Sequence, residues 1–245
     1  MASIPDPMFR QTTRDFCVNQ QFRKDYWVKG CRTLTALEQA EALRGQRILL
    51  AQPRADVGLK VTGSLGEATL QEAVYGPILD QLADHKPKTL GQLEQALKAT
   101  PSTQSLSFAQ ILQAAMVLSA TGAVQAVQDD AVVQIAKKRT DRLNVYLMTK
   151  ARSSNELSYL ASPVTGGGVT VPRFQQLFLL AKQQGHKHPQ DWANFVWNIL
   201  ALQNQRLVKD GKTLESAEEN LAELTAQASE FAEKQLPILK ALQIA

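Results

Sequence analysis

The chain has 245 residues, 44% hydrophobic and 20% charged, the balance of an ordinary globular protein long enough to bury a full core in one or two domains. Its net charge of +4 is a slight basic excess, scattered apart from Lys137-Lys138-Arg139 and Arg142, and lacks the concentrated footprint that nucleic acid demands. No apolar run approaches the roughly 20 residues of a membrane span, Ser3-Ile4-Pro5-Asp6-Pro7 cannot be a signal-peptide core, and Cys17 and Cys31 build neither a disulfide framework nor a zinc site, so a cytoplasmic protein with reduced, partly buried cysteines is expected.

Residues 7–20 have helical composition. From Gln20 to Lys29 apolar and polar residues alternate, with Phe22, Tyr26 and Val28 against Arg23, Asp25 and Lys29, the period of a half-buried strand. Thr35 is placed to cap a helix through Arg44, with Glu38 completing a capping box. Residues 47–52 and 58–62 read as short strands, so residues 1–65 form a small α/β part.

A second unit, residues 66–140, begins at Gly63-Ser64-Leu65-Gly66. Leu70, Val74, Ile78 and Leu82 recur at four-residue spacing, and Gly76-Pro77 predicts a kinked or split helix. Thr89 caps a helix bearing Leu90, Leu93 and Leu97, and residues 106–121 give a third that ends at Gly122. Residues 124–127 and 132–135, around Asp129-Asp130, read as a hairpin. Three helices followed by a hairpin is winged-helix order.

Residues 141–245 read as a helical region packing on the rest. Residues 143–148 suit helix or strand. Residues 171–184 run from Pro172 to Gly185, the proline-in, glycine-out asymmetry of helices. Residues 191–209 place Trp192, Phe195, Ile199 and Leu202 on one face, stopping near Gly211. Residues 216–236 repeat Leu221, Leu224, Ala228 and Phe231, and Pro237 kinks or ends that helix. The predicted fold class is α+β, predominantly α.

The blocks from Gln20 to Gly30, from Gly66 to Pro77, and from Tyr159 through Ser162-Pro163-Val164-Thr165-Gly166-Gly167-Gly168 to Ala181 together resemble the region that follows the catalytic domain in bacterial class I S-adenosylmethionine-dependent methyltransferases carrying a methyltransferase regulatory domain, a group that includes protein-lysine methyltransferases. The resemblance spans residues 8–243. It implies that residues 1–65 are the C-terminal part of the regulatory domain, and that the chain is a non-catalytic regulatory or protein-substrate-holding module. It implies as partners a methyltransferase catalytic domain or subunit and a protein substrate, with a second copy of the chain as a further possibility. Neither a membrane nor nucleic acid is expected as partner.

No catalytic, cofactor-binding or metal residue is assigned. A class I methyltransferase needs a glycine-rich turn after its first strand and an acidic residue after its second; neither Gly63-Ser64-Leu65-Gly66 nor Gly166-Gly167-Gly168 stands in that context. His186 and His188 bracket Lys187 in a loop, where a helical metal pair would be one turn apart. Two other readings stand beside the leading one: a fragment of a methyltransferase whose catalytic half is encoded upstream, and a winged-helix DNA-binding regulator. Against the second, the third helix has no Lys or Arg and exposes Gln110, Gln113 and Ser119. The candidate interface is Ser162, Pro163, Gly166, Gly167, Gly168, Arg173, Trp192 and Trp197, with Arg173 offering a fork for a carboxylate. Trp192 and Trp197, five residues apart, cannot share one face closely, which predicts that one is exposed.

Overall fold

A computed structural model describes residues 3–25, 28–63 and 66–245. Its contacts separate two units, residues 1–39 and 40–245. In the first, helix α1 (Pro7–Cys17) starts where Asp6 accepts a hydrogen bond from the Phe9 amide at 2.6 Å and Pro7 enters the first turn, the position where its missing N–H has no helical partner to lose. None of the described residues 3–39 is buried. Residues 20–25 and 28–29 are irregular rather than strand: alternation supplies a face but not the neighbouring strand that must complete the backbone ladder. Tyr26 and Trp27 lie outside the described residues. Both cysteines are exposed, not partly buried.

Helix α2 (Ala36–Arg44) has the expected capping box, with the Thr35 amide donating to Glu38 Oε2 at 2.8 Å and the Glu38 amide to Thr35 Oγ1 at 3.3 Å. Then follow β1 (Arg47–Leu50), a 3-10 turn (Arg54–Asp56), β2 (Lys60–Gly63), β3 (Gly66–Thr69), α3 (Glu72–Leu82), β4 (Lys88–Thr89), α4 (Leu90–Ala99), α5 (Phe108–Ala120) and β5 (Val124–Ala126). Helix α3 runs unbroken through Pro77 rather than splitting. Helices α4 and α5 open on reciprocal capping boxes, Thr89 with Gln92 and Ser107 with Gln110, each satisfying two amides that the first turn leaves free. Strands β2 and β3 pair antiparallel, Gly63 opposite Gly66.

The sheet order is β4-β1-β5, antiparallel throughout. Its central strand precedes the three helices in sequence. Residues 132–135, expected as the second strand of a hairpin with β5, instead lie in α6 (Asp130–Lys150). The reason is periodic: Val133, Asn144 and Met148 are buried on one helical face while Val132 and Ile135 stay exposed. The place beside β5 is taken by β1, with Leu49 opposite Gln125. Because successive strand residues point to opposite faces, β1 serves two cores. Ile48 and Leu50 join Ile78, Leu82, Leu93, Ile111 and Leu118 on the side of α3, α4 and α5. Leu49 joins Met148, Leu160, Phe178, Trp192 and Leu224 on the other.

That second core is closed by β6 (Tyr159–Ser162), β7 (Gly167–Thr170), α7 (Arg173–Gln183), α8 (Pro189–Leu202), β8 (Val208–Lys209), β9 (Lys212–Thr213), α9 (Ala217–Glu230), a π-helical turn (Phe231–Gln235) and α10 (Leu236–Ala241). Helix α8 ends at Leu202 rather than near residue 209. Leu202 is 87% exposed and Asn204 takes φ 53°, with the Asn204 and Gln205 amides donating to the Ala201 and Leu200 carbonyls, a Schellman close. The helix expected through residue 236 widens at Phe231 because Pro237 has no N–H to offer the preceding turn. Every strand pair among the described residues is antiparallel, and the fold is α+β and predominantly helical, as predicted.

Candidate functional site

The glycine stretch Gly166-Gly167-Gly168 lies at the turn before β7 and at the start of that strand. It is part of a hairpin in which Ser162 pairs with Gly167 and Tyr159 with Thr170. Gly166 closes the turn at φ 71°, its amide donating to the Ser162 carbonyl at 3.0 Å, a backbone region that glycine enters without steric cost. A Cβ there would also meet Gln128 Nε2 at 2.9 Å, whereas one on Gly167 would meet nothing within 4 Å and one on Gly168 only Tyr159, at 3.7 Å. Only Gly166 therefore requires glycine. Being antiparallel, the hairpin is not the strand-turn-helix that cradles a nucleotide or S-adenosylmethionine.

Ser162 and Pro163 face inward. Ser162 is 1% exposed; its Oγ donates to the Leu242 carbonyl at 2.8 Å and accepts from the Val164 amide at 3.1 Å, so one hydroxyl joins the hairpin to the end of α10. The Val164 carbonyl accepts from the Gln128 amide at 2.8 Å, which fixes the turn against the β5–α6 connection. Behind β6, the Asn144 carboxamide bonds both backbone groups of Ala161, at 2.7 and 2.8 Å, standing in for a neighbouring strand on that edge.

Arg173 holds carbonyls rather than a carboxylate. Its Nε donates to the Ala151 carbonyl at 2.8 Å and a terminal nitrogen to that of Arg152 at 3.1 Å, with Gln203 and Gln205 as further acceptors. These carbonyls end α6, where a cation complements the helix dipole. Burial lowers the Arg173 pKa from the usual arginine value, leaving the side chain cationic.

Neither tryptophan is exposed. Trp192 is 3% exposed, its Nε1 donates to the His186 carbonyl at 2.9 Å and its ring lies edge-on to Phe231. Trp197 is half-buried against the same core. His188 sits at the N-cap of α8, its amide donating to Asp191 Oδ2 at 3.3 Å. The structure thus buries Ser162 and Pro163 in the turn, leaves Gly166 exposed at its tip, and places Arg173 at the end of α6 and Trp192 and Trp197 in or beside the core. What the hairpin turns outward is Tyr159, Gly166, Gly167, Gly168 and Thr170.

The stronger surface feature lies in residues 3–39. Phe9 is 62% exposed, Phe16 84% and Phe22 86%. Phe9 and Phe16, seven residues apart on α1, share one stripe. The helical composition of this segment was legible; that nothing in its own unit covers the stripe was not.

A family model described as a predicted methyltransferase regulatory domain matches residues 1–29, the stretch that holds α1 and Phe22. Over 244 residues the chain is 37% identical to the uncharacterized protein sll1526 of Synechocystis sp.; the match takes in 100% of this chain and 46% of the Synechocystis protein, so the chain spans about half the length of that relative. No solved structure matches it. The chain is thus similar at residues 1–29 to the predicted methyltransferase regulatory domain and, along its whole length, to part of a longer protein.

Proposed function

We propose that the chain is a non-catalytic regulatory and protein-substrate-holding module of an S-adenosylmethionine-dependent methyltransferase, joined to the rest of that enzyme through residues 3–39. One observation carries the reading: the segment matched by the regulatory-domain model is the segment that buries none of its described residues and leaves Phe9, Phe16 and Phe22 exposed. Large contiguous apolar surface on a soluble protein marks an interaction site. Its proposed cover is the remainder of a methyltransferase regulatory domain, whose family supplies only these first residues here. Residues 47–126 serve in this reading as a winged-helix-like scaffold in which β1 stands where the second hairpin strand would be.

The DNA-binding reading finds no support on α5, whose outward residues include Gln110, Gln113, Met116 and Ser119 and no cation; phosphate neutralisation supplies most DNA affinity. The test is co-expression of the chain with that part of the Synechocystis protein it does not match. The expected result is a stable complex that binds S-adenosylmethionine while this chain alone does not. Cofactor binding by the chain alone at micromolar Kd, about −8 kcal/mol, contradicts the proposal, as does the absence of any complex.

A further inference from the structure

Between the 3-10 turn, α7 and the end of α9 lies a cleft of about 270 Å³. Phe178 and Phe231, 1% and 2% exposed with ring centroids 5.6 Å apart, form its base, and the half-buried Phe174 one wall. Asp56 and Glu230 stand at its rim with Lys234. The π-helical turn that carries Lys234 widens the helix at this place. A half-buried ring beside a carboxylate rim suits a cation on an apolar stem, whose methylenes can lie on Phe174 while the charge stays at the polar edge. The chain already supplies an example: Lys234 Nζ lies 2.8 Å from Glu230 Oε1. Glu230 and, more weakly, Asp56 and Glu233 raise the Lys234 pKa. With two carboxylates against one ammonium, the rim holds one unit of negative charge in excess.

We propose that this cleft receives a lysine side chain presented by a partner protein, its stem on Phe174 and its ammonium between Asp56 and Glu230, in competition with Lys234. A neutral side chain would leave the two carboxylates with a single counter-ion, and a lysine ammonium, a compact point charge, can sit between two separate carboxylates where the planar arginine fork is matched to a single one. The assignment stands on these residues and not on association with a methyltransferase, so it can fail while the regulatory reading holds, and the reverse.

The probe is a short glycine-serine peptide with blocked ends and one central lysine, titrated into the whole chain at low salt and followed by the backbone amide resonances of Phe174, Gln175 and Gln235. Saturable shifts are expected, with affinity at least fivefold weaker for the Nε-acetyl-lysine, arginine and alanine peptides. The double variant Asp56→Asn, Glu230→Gln should weaken lysine-peptide binding at least fivefold. Lys234→Ala should strengthen it severalfold, because the internal competitor is gone; a merely structural role for Lys234 predicts no such gain. Equal shifts with lysine and acetyl-lysine peptides, or arginine binding as well as lysine, overturn the assignment. So does a lysine peptide that leaves these resonances unmoved up to about 10 mM in both wild type and Lys234→Ala.

Discussion

Glu94 is 6% exposed on α4, yet it is a carboxylate. Arg44 Nε and Lys98 Nζ each reach it at 2.7 Å, and the Arg44 guanidinium lies 4.4 Å from the centre of the Phe108 ring. Those hydrogen bonds, Arg44 first, bring its pKa from an ordinary 4.5 to about 2. A lowered carboxylate pKa contributes stability that is fully present above about pH 4.5 and is lost as pH falls towards 2. Glu94→Gln should therefore cost about 1–3 kcal/mol at neutral pH and flatten the stability profile between those two values. Denaturant melts of wild type and variant at pH 7 and pH 3 check this; parallel losses at both would contradict the assignment. The glycines offer a second residue-scale test. Gly166→Val places a branched side chain at φ 71° against Gln128 and should destabilise by about 1–2 kcal/mol. Gly167→Val, in open space at ordinary strand geometry, should leave the melting midpoint nearly unchanged. Any effect of Gly167→Val on association would then report an interface at the hairpin.

Among the elements, the starts of the helices with capping boxes were legible and the hairpins were not. Thr89, Ser107 and Ser216 each precede a Gln or Glu by three residues, and each forms the capping box that this spacing predicts, because a cap is settled within four residues. A strand is settled by its partner. Val132 and Ile135 have strand composition, yet the 21 residues of α6 bury Val133, Asn144 and Met148 on one face, and that helical contact outweighs local preference. The β8–β9 hairpin had a local signal in Asp210-Gly211, both at positive φ, the dipeptide favoured in two-residue turns; the apolar spacing of Trp192, Phe195 and Ile199 drew the reading of a helix across it. The candidate site was legible as a special backbone place, but the inward aim of Ser162 and Arg173 depended on contacts with residues 242 and 151–152, remote in sequence. Three buried carboxamides, Asn144, Gln176 and Asn220, fasten hairpins or their ends to helices in the same way. Asn220 accepts from the Leu207 amide and donates to the Leu214 and Ser216 carbonyls. Asn220→Ala should cost about 1–3 kcal/mol; hydrogen exchange should show the Leu207 amide losing protection while α3 to α5 keep theirs.

At the scale of the molecule, β1 joins two cores through alternate residues, so Leu49→Ala should weaken residues 40–245 as one body, by about 2–5 kcal/mol, and a single cooperative transition should persist. None of the described residues among 3–39 is buried, and residues 1–29 are matched by the regulatory-domain model. Deletion of residues 1–39 should leave that transition within a few degrees of its original midpoint while abolishing association. The most direct measurement of the central claim is sedimentation of the chain mixed with the unmatched part of the Synechocystis protein, for wild type and for Phe9→Ser, Phe16→Ser, Phe22→Ser together. A stoichiometric complex with wild type, lost in the triple variant while its residues 40–245 melt normally, is the predicted result. A complex of undiminished affinity in the triple variant would contradict docking through residues 3–39.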